Sequence, residues 1–191
     1  MVICLLNIRH YLRPMALNNE LIVLVDEKDN QTGTMEKMEA HEKGLLHRAF
    51  SVLLFNDKNE WLLQQRALDK YHCGGLWTNT CCSHPFPGEE ISNAAKRRLK
   101  EEMGIECELT KSFDFIYRAS FENGLTEHEF DHVFIGQFSN TPKINAQEVA
   151  DWKYISLSAL KEDVEQHPEK FTPWFKIIID KMDQKATSYN A

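Results

Sequence analysis

The sequence is short of several features that settle a protein's class early. No apolar run approaches the roughly 20 residues that a membrane-spanning helix requires, so no transmembrane anchor and no membrane partner are expected. No internal repeat and no low-complexity tract is visible, and only six prolines and eight glycines are spread over 191 residues, so no stretch reads as a linker that would split the chain. Positive charge is in deficit: 22 lysines and arginines face 29 acidic residues, for a net charge of −7. Nothing in that balance attracts nucleic acid or an anionic surface, and an anionic ligand would need basic residues gathered locally or a cation between. Cysteine is sparse and odd in number. Cys4, Cys73, Cys81, Cys82 and Cys107 lack paired spacing, which argues against a disulfide framework and for a reducing, cytoplasmic setting.

What is present is an ordinary globular composition, 42% hydrophobic and 27% charged, in a chain long enough to bury a core without staples. The opening MVICLLNIRHYLRP has neither an apolar h-region nor a small-residue cleavage site. Residues 1–14 are therefore expected to be a disordered or non-native leader before Met15, and 15–191 a single domain.

Secondary structure reads from periodicity. LIVLV at 21–25 is strand-like; a turn through Asp29-Asn30 and Thr32-Gly33 precedes a second short strand. Residues 49–57 and 60–66 form a hairpin around Asn56, Asp57 and Asn59. Residues 67–90 are rich in Gly, Pro, Asn and Cys and read as one long loop, a length that in a compact domain usually serves function. Ile91, Ala94, Ala95, Leu99 and Met103 recur at helical spacing and Gly104 follows as a C-cap. Strands are expected at 113–121, 128–138 and 151–157, and two helices close the chain. Five or six strands around one central helix, with terminal helices, make an α/β sandwich.

Four sets of residues could carry chemistry. His41-x5-His47, His84 in CCSH, and Glu127 with Glu129 offer imidazole and carboxylate ligands suited to a borderline divalent cation. Each element alone reads more readily as solvated surface, and only together do they point to a metal. Side chains alternate along a strand, so Glu127 and Glu129 share a face while His128 points away. Lys37, Arg66, Lys70, Arg97 and Arg98 are scattered solubilising charge or a pocket for phosphate oxygens. Glu101 and Glu102 end the central helix against its macrodipole, a broken local rule that suggests Mg²⁺ bridging to a diphosphate. Tyr117, placed on a central strand, and Trp174 in FTPWF could line an apolar site whose π face stabilises a cation. Adjacent Cys81 and Cys82 are two buried small side chains, or one of them is a reactive thiol or metal ligand beside His84.

The segments TGTMEK, LHRAFSVLLF, WTNTCCSHP, PGEE, RRLKEEMGIE, YRA, NGLTEHE and FTPWF resemble, in that order, the type I isopentenyl-diphosphate Δ-isomerases of the Nudix group. The likeness spans about residues 20–180. It implies a Nudix-like α/β/α sandwich, a mixed sheet with a central Nudix-type helix and C-terminal helices, and interconversion of isopentenyl and dimethylallyl diphosphate through a tertiary carbocation. It further implies Cys82, Glu129 and Tyr117 as catalytic residues, with Cys81 as packing. Lys37, Arg66, Lys70 and Arg98 would hold the diphosphate and Trp174 would cover its hydrocarbon end. His41, His47, His84, Glu127 and Glu129 would bind one Mn²⁺, Zn²⁺ or Mg²⁺, and Glu102 a second, diphosphate-bridging Mg²⁺, with no flavin. The partner is then a small allylic or homoallylic diphosphate, and the protein a monomer or weak homodimer. Where the general Nudix box ends Arg-Glu-aliphatic-x-Glu-Glu-x-Gly-aliphatic, this chain has Arg98 in place of the first glutamate. That departure weighs against the alternative, a Nudix hydrolase of a nucleoside diphosphate derivative. A zinc module built on Cys73, Cys81, Cys82 and His84 is a third reading, without the usual C-x2-C spacing. Cys4, His10, His72, Cys107, His132 and His167 are assigned to packing or surface.

Overall fold

A computed structural model describes residues 21–188 of the chain. The leader expected at 1–14, with Cys4 and His10, lies outside the described residues. The elements run β1 (Leu21–Val25), β2 (Gln31–Glu36), α1 (Lys37–Lys43), β3 (His47–Phe55), β4 (Trp61–Arg66), β5 (Trp77–Thr78), β6 (Cys81–Ser83), α2 (Ile91–Met103), β7 (Leu109–Ser120), β8 (Thr126–Gln137), β9 (Val149–Ile155), α3 (Leu157–Gln166) and α4 (Pro173–Ser188). Among the described residues no helix is long and apolar enough to cross a membrane.

All nine strands join one mixed sheet centred on β3. Along one edge of β3, β8 runs parallel from the His47/Glu129 pair to Phe55/Gln137. The other edge is shared in turn by three antiparallel partners: β1 at His47, β6 at Phe50–Val52 and β4 at Leu54–Phe55. Strand alternation then sorts the side chains. Phe50, Val52 and Leu54 face α2, where Ala94, Ala95, Leu99 and Met103 form the buried stripe, completed by Phe134 of β8. Leu53, with Trp61, Leu63 and Val133, faces Leu160 of α3 and Phe171, Phe175 and Ile178 at and within α4. Helices thus cover both faces of the sheet, the expected α/β/α sandwich, and each fully buried Leu or Phe stabilises it by about 1.5–3 kcal/mol.

Four local expectations are corrected. Thr32 and Gly33 lie within β2, paired to β1, rather than in a turn. Residues 37–43, unassigned from sequence, form α1: the Glu36 carboxylate caps the Glu39 N–H, and Gly44 closes the helix with φ +60°. The supposed loop 67–90 contains β5 and β6. Tyr117 stands on an edge strand, since β7 pairs with β8 alone among the described strands.

Beyond Leu54/Leu62 strands β3 and β4 separate, and the TNTCC segment enters the fork. Thr80 Oγ1 donates to the Leu62 carbonyl (2.6 Å) and accepts from the Leu54 N–H (3.0 Å), so one hydroxyl bridges the parted strands. Asn79 Nδ2 donates to Cys81 O (2.6 Å) and Val52 O (3.3 Å). Both side chains are fully buried, where an unpaired polar group would cost about 1–3 kcal/mol. Anchored this way, Cys81 packs into the α2 core and Cys82 against the opposite cluster.

Candidate active site

The face of the sheet that carries Cys82 also carries His47, His84, Glu127 and Glu129, because these residues share one parity on β3, β8 and the β6 continuation. His41 arrives from α1. Its Nδ1 lies 2.6 Å from the Lys37 carbonyl, and His47 Nδ1 lies 2.8 Å from the Leu45 carbonyl. A carbonyl can only accept, so both rings carry hydrogen on Nδ1 and turn Nε2 inward, the orientation that outer-shell carbonyls impose on metal-binding histidines.

Those Nε2 atoms converge on Glu127 Oε2, at 3.1 Å for His41 and 3.7 Å for His47. None of the three buried atoms has a hydrogen-bond partner. Ligand atoms of His41, His47, His84 and Glu127 all lie within 4.8 Å of one another. Two oriented imidazoles and a carboxylate oxygen without hydrogen-bond partners, with the His84 ring beside them, fit a divalent cation with mixed N/O preference. Glu129 stands beside this set: its Oε1 lies 3.0 Å from His84 Nε2 and 3.7 Å from His47 Nε2, and its Oε2 accepts from Tyr117 Oη at 2.7 Å.

The protein groups alone perturb each other strongly. Burial works to raise Glu127, but its contacts with His41, His47 and His72 hold it well below the carboxylate range. Burial disfavours the His47 imidazolium, yet Glu127 and Glu129 lift it to about 9. His84 falls to about 4, driven by burial. Cys82 is pushed up to about 12 by burial, with Arg66 pulling the other way, and Tyr117 rises through burial and Glu129.

A basic end adjoins this cluster. Arg66, from the end of β4, is buried, with Nη1 3.8 Å from Cys82 Sγ and its guanidinium 5.4 Å from the Trp174 ring. Lys37 sits 5.3 Å over the Tyr71 ring. Lys70 pairs with Glu148. Arg98 reaches Glu102 Oε1 (2.6 Å), Glu101 Oε2 (2.9 Å) and Glu148 Oε2 (3.4 Å), and Glu102 also accepts from Gln64 Nε2 (3.0 Å). Arg97 is turned elsewhere, bidentate to Glu89 at 2.8 Å for each bond and stacked on Phe86. Lys37, Arg66, Lys70, Arg98, Cys82, His84, Glu102, Tyr117, Glu127, Glu129 and Trp174 line one pocket, while His41 and His47 stand directly behind its carboxylates. Of the residues singled out from sequence, Arg97 and Glu101 lie outside this pocket, and the rest line it or stand directly behind it.

Sequence reasoning missed His72. It stacks on Phe121 with centroids 4.8 Å apart, and its Nε2 lies 2.5 Å from Glu127 Oε1. It also missed Tyr71, Gln64 and Glu148 in the pocket wall. The YHCGG run offered a cue, since Gly74 admits no side chain: a Cβ there would meet the Leu68 carbonyl at 2.5 Å. The adjacent cysteines point into different cores, which removes the cysteine-based zinc module. His128 turns away to Gly44 O, as expected from its parity. His132 packs on Phe130 and meets Asp29 at 3.0 Å.

The geometry agrees with what the chain resembles. A model of the NUDIX domain matches residues 45–175. A solved structure from Deinococcus radiodurans shares the fold with a TM-score of 0.72 at 17% identity, covering 85% of this chain and 98% of that one. The MutT protein from Methanosarcina mazei does so at 0.60 and 17%, covering 74% and 95%. Among curated proteins, the isopentenyl-diphosphate Delta-isomerase of Pectobacterium atrosepticum is 54% identical over 82% of this chain and 87% of its own. Isopentenyl-diphosphate Delta-isomerase 2 of Aromatoleum aromaticum is 51% identical over 84% and 85%. The chain belongs to the isopentenyl-diphosphate Delta-isomerase family, within the NUDIX-domain group.

Proposed function

We propose that the pocket moves the double bond of isopentenyl diphosphate to give dimethylallyl diphosphate. The observation that carries this reading is one pocket holding a half-buried thiol, Cys82, and a buried carboxylate–phenol pair, Glu129–Tyr117, next to a basic end. Shifting an unactivated C=C adds a proton to the terminal methylene carbon and removes one two carbons away, so two separate acid/base groups are needed. Cys82 on β6 and Glu129 on β8 come from strands that flank β3 on opposite edges, which suits them to the two ends of that transfer.

Lys37, Arg66, Lys70 and Arg98 hold the diphosphate and fix the alkene between those groups. The tertiary cation between the two proton transfers needs a dry wall of high electron density. Trp174, 3% exposed, and Tyr117, with centroids 6.4 Å apart, supply it at about 2 kcal/mol for a desolvated cation–π contact. His41, His47, His84, Glu127 and Glu129 would hold Mn²⁺, Zn²⁺ or Mg²⁺, and Glu102 would hold Mg²⁺. When bound, such ions would supply positive charge that neutralises the diphosphate and keeps the carboxylates ionised. We further assign residues 15–191 to one domain that works in the cytoplasm as a monomer or weak homodimer.

Arg98 in place of the Nudix-box glutamate, its guanidinium joined to Glu102, favours isomerase over hydrolase chemistry. The test is incubation with isopentenyl diphosphate and Mg²⁺ in deuterated water, followed by NMR. Deuterium-labelled dimethylallyl diphosphate is expected, and its rate should fall more than about 1,000-fold in Cys82→Ala with the fold retained. Unexchanged substrate in metal-replete protein would overturn the assignment.

A further inference from the structure

Glu148 lines the pocket at its basic end. Its Oε2 pairs with Lys70 Nζ and lies 3.4 Å from Arg98 Nη2, so one carboxylate oxygen spans two of the four cations assigned to the diphosphate. The three side chains are 17–23% exposed, well shielded from bulk water. Burial works to raise Glu148, but Lys70 and Arg98 hold it below the ordinary carboxylate range, so it stays ionised at neutral pH.

Its place is built in by backbone contacts. Lys143 N–H donates to Met103 O and Asn145 N–H to Glu102 O, so the loop before β9 closes off the last carbonyls of α2. Gly104 permits this approach, because a Cβ there would lie 2.6 Å from the Lys143 carbonyl. Ala67 N–H donates to Glu148 O, and Glu148 N–H to Asn145 O. The loop therefore sets the Glu148 carboxylate beside that of Glu102, since both contact the same Arg98 Nη2.

We propose that Glu148 is a specificity-determining residue of this pocket: an internal anion that occupies Lys70 and Arg98 and so favours a diphosphate arriving with its divalent cation over the bare anion. The inference rests on the diphosphate reading above. A bare diphosphate must displace Glu148 from both cations while facing Glu102. A divalent cation removes two of the ligand's negative charges and turns both carboxylates from repelling to attracting groups.

The experiment is calorimetric titration of the full chain with inorganic pyrophosphate, with and without Mg²⁺, in wild type, Glu148→Gln and Glu148→Asp. Gln keeps the size of Glu148 and both of its backbone bonds, and a melting curve checks the fold of each variant. Without Mg²⁺, Glu148→Gln should bind pyrophosphate about tenfold more tightly than wild type or better, from removal of one nearby charge. The Mg²⁺ enhancement should shrink accordingly. Glu148→Asp keeps the charge and should stay within about threefold of wild type. Unchanged or weaker Mg²⁺-free binding in Glu148→Gln overturns the inference, as does equal behaviour of the two variants. Wild type and variants all failing to bind with Mg²⁺ present would instead overturn the diphosphate reading, and this inference with it.

Discussion

The two ends of the pocket are built on different principles. At the His/Glu end, orientation comes from the main chain: His41 and His47 are tied to carbonyls of Lys37 and Leu45, and their inward nitrogens have no hydrogen-bond partner. At the basic end, orientation comes from side chains: Lys70 and Arg98 are held by Glu102 and Glu148, partners that a ligand can replace. The first end is fixed for one kind of occupant, an electrophile that accepts lone pairs. The second keeps more cations than carboxylates, with Lys70 and Arg98 held by acids that sit where an anion would bind. On the function proposed above, the contrast suits a site that would keep its metal through many turnovers but must release its product each time.

Removing one member of each end should expose that contrast. His47→Ala takes away an oriented ligand nitrogen, so metal content should fall and turnover should drop by more than about 100-fold. The measurements are elemental analysis alongside the NMR assay, and added Mn²⁺ or Zn²⁺ should raise the wild-type melting temperature but not that of the variant. Arg66→Lys leaves the His/Glu end intact. It should raise KM about tenfold while metal content stays at the wild-type level, because a point charge replaces a planar fork set over Trp174. Loss of metal in Arg66→Lys would break the comparison, since the ends would then not be independent.

A third perturbation acts on neither end but on the wedge that supports Cys82. Thr80→Val leaves the Leu62 carbonyl and the Leu54 N–H without their partner, and should cost about 1–3 kcal/mol in denaturant unfolding. The smallest effect lies outside the pocket. Glu89 is held below the ordinary carboxylate range by its bond to Arg97. A depressed folded-state value adds stability above the unfolded pKa, and that stability is lost as pH falls through the lower folded value. Glu89→Gln should therefore flatten the acid limb of the stability profile by less than about 1 kcal/mol, given solvent screening at this surface.

Much of this was legible along the chain. The parity that put Glu127 and Glu129 on one face and His128 on the other held, because alternation is a property of any strand. The α2 stripe and its Gly104 cap also held, being local signals. Short elements were not legible. The helix at Lys37–Lys43 is seven residues long, below the length at which periodicity stands out, and exists because Glu36 and Gly44 cap it. The strand pair within 67–90 has no pattern of its own and is stable only in the fork between β3 and β4.

The sequence by itself determined the family, the α2 helix and the alternating faces, since each is carried by spacing or by neighbouring residues. Only the tertiary structure decided which residues share a site. Cys81 and Cys82 are adjacent in the chain, yet one enters the α2 core and the other the pocket, because Asn79 and Thr80 pin β6 in one register against β3. His72 and Glu127, far apart in sequence, meet at 2.5 Å through the folding of the 67–76 segment onto Phe121. Glu148 joins Lys70 and Arg98 because backbone bonds hold its loop to the end of α2. Such contacts depend on long-range packing and buried polar satisfaction, which no local pattern encodes.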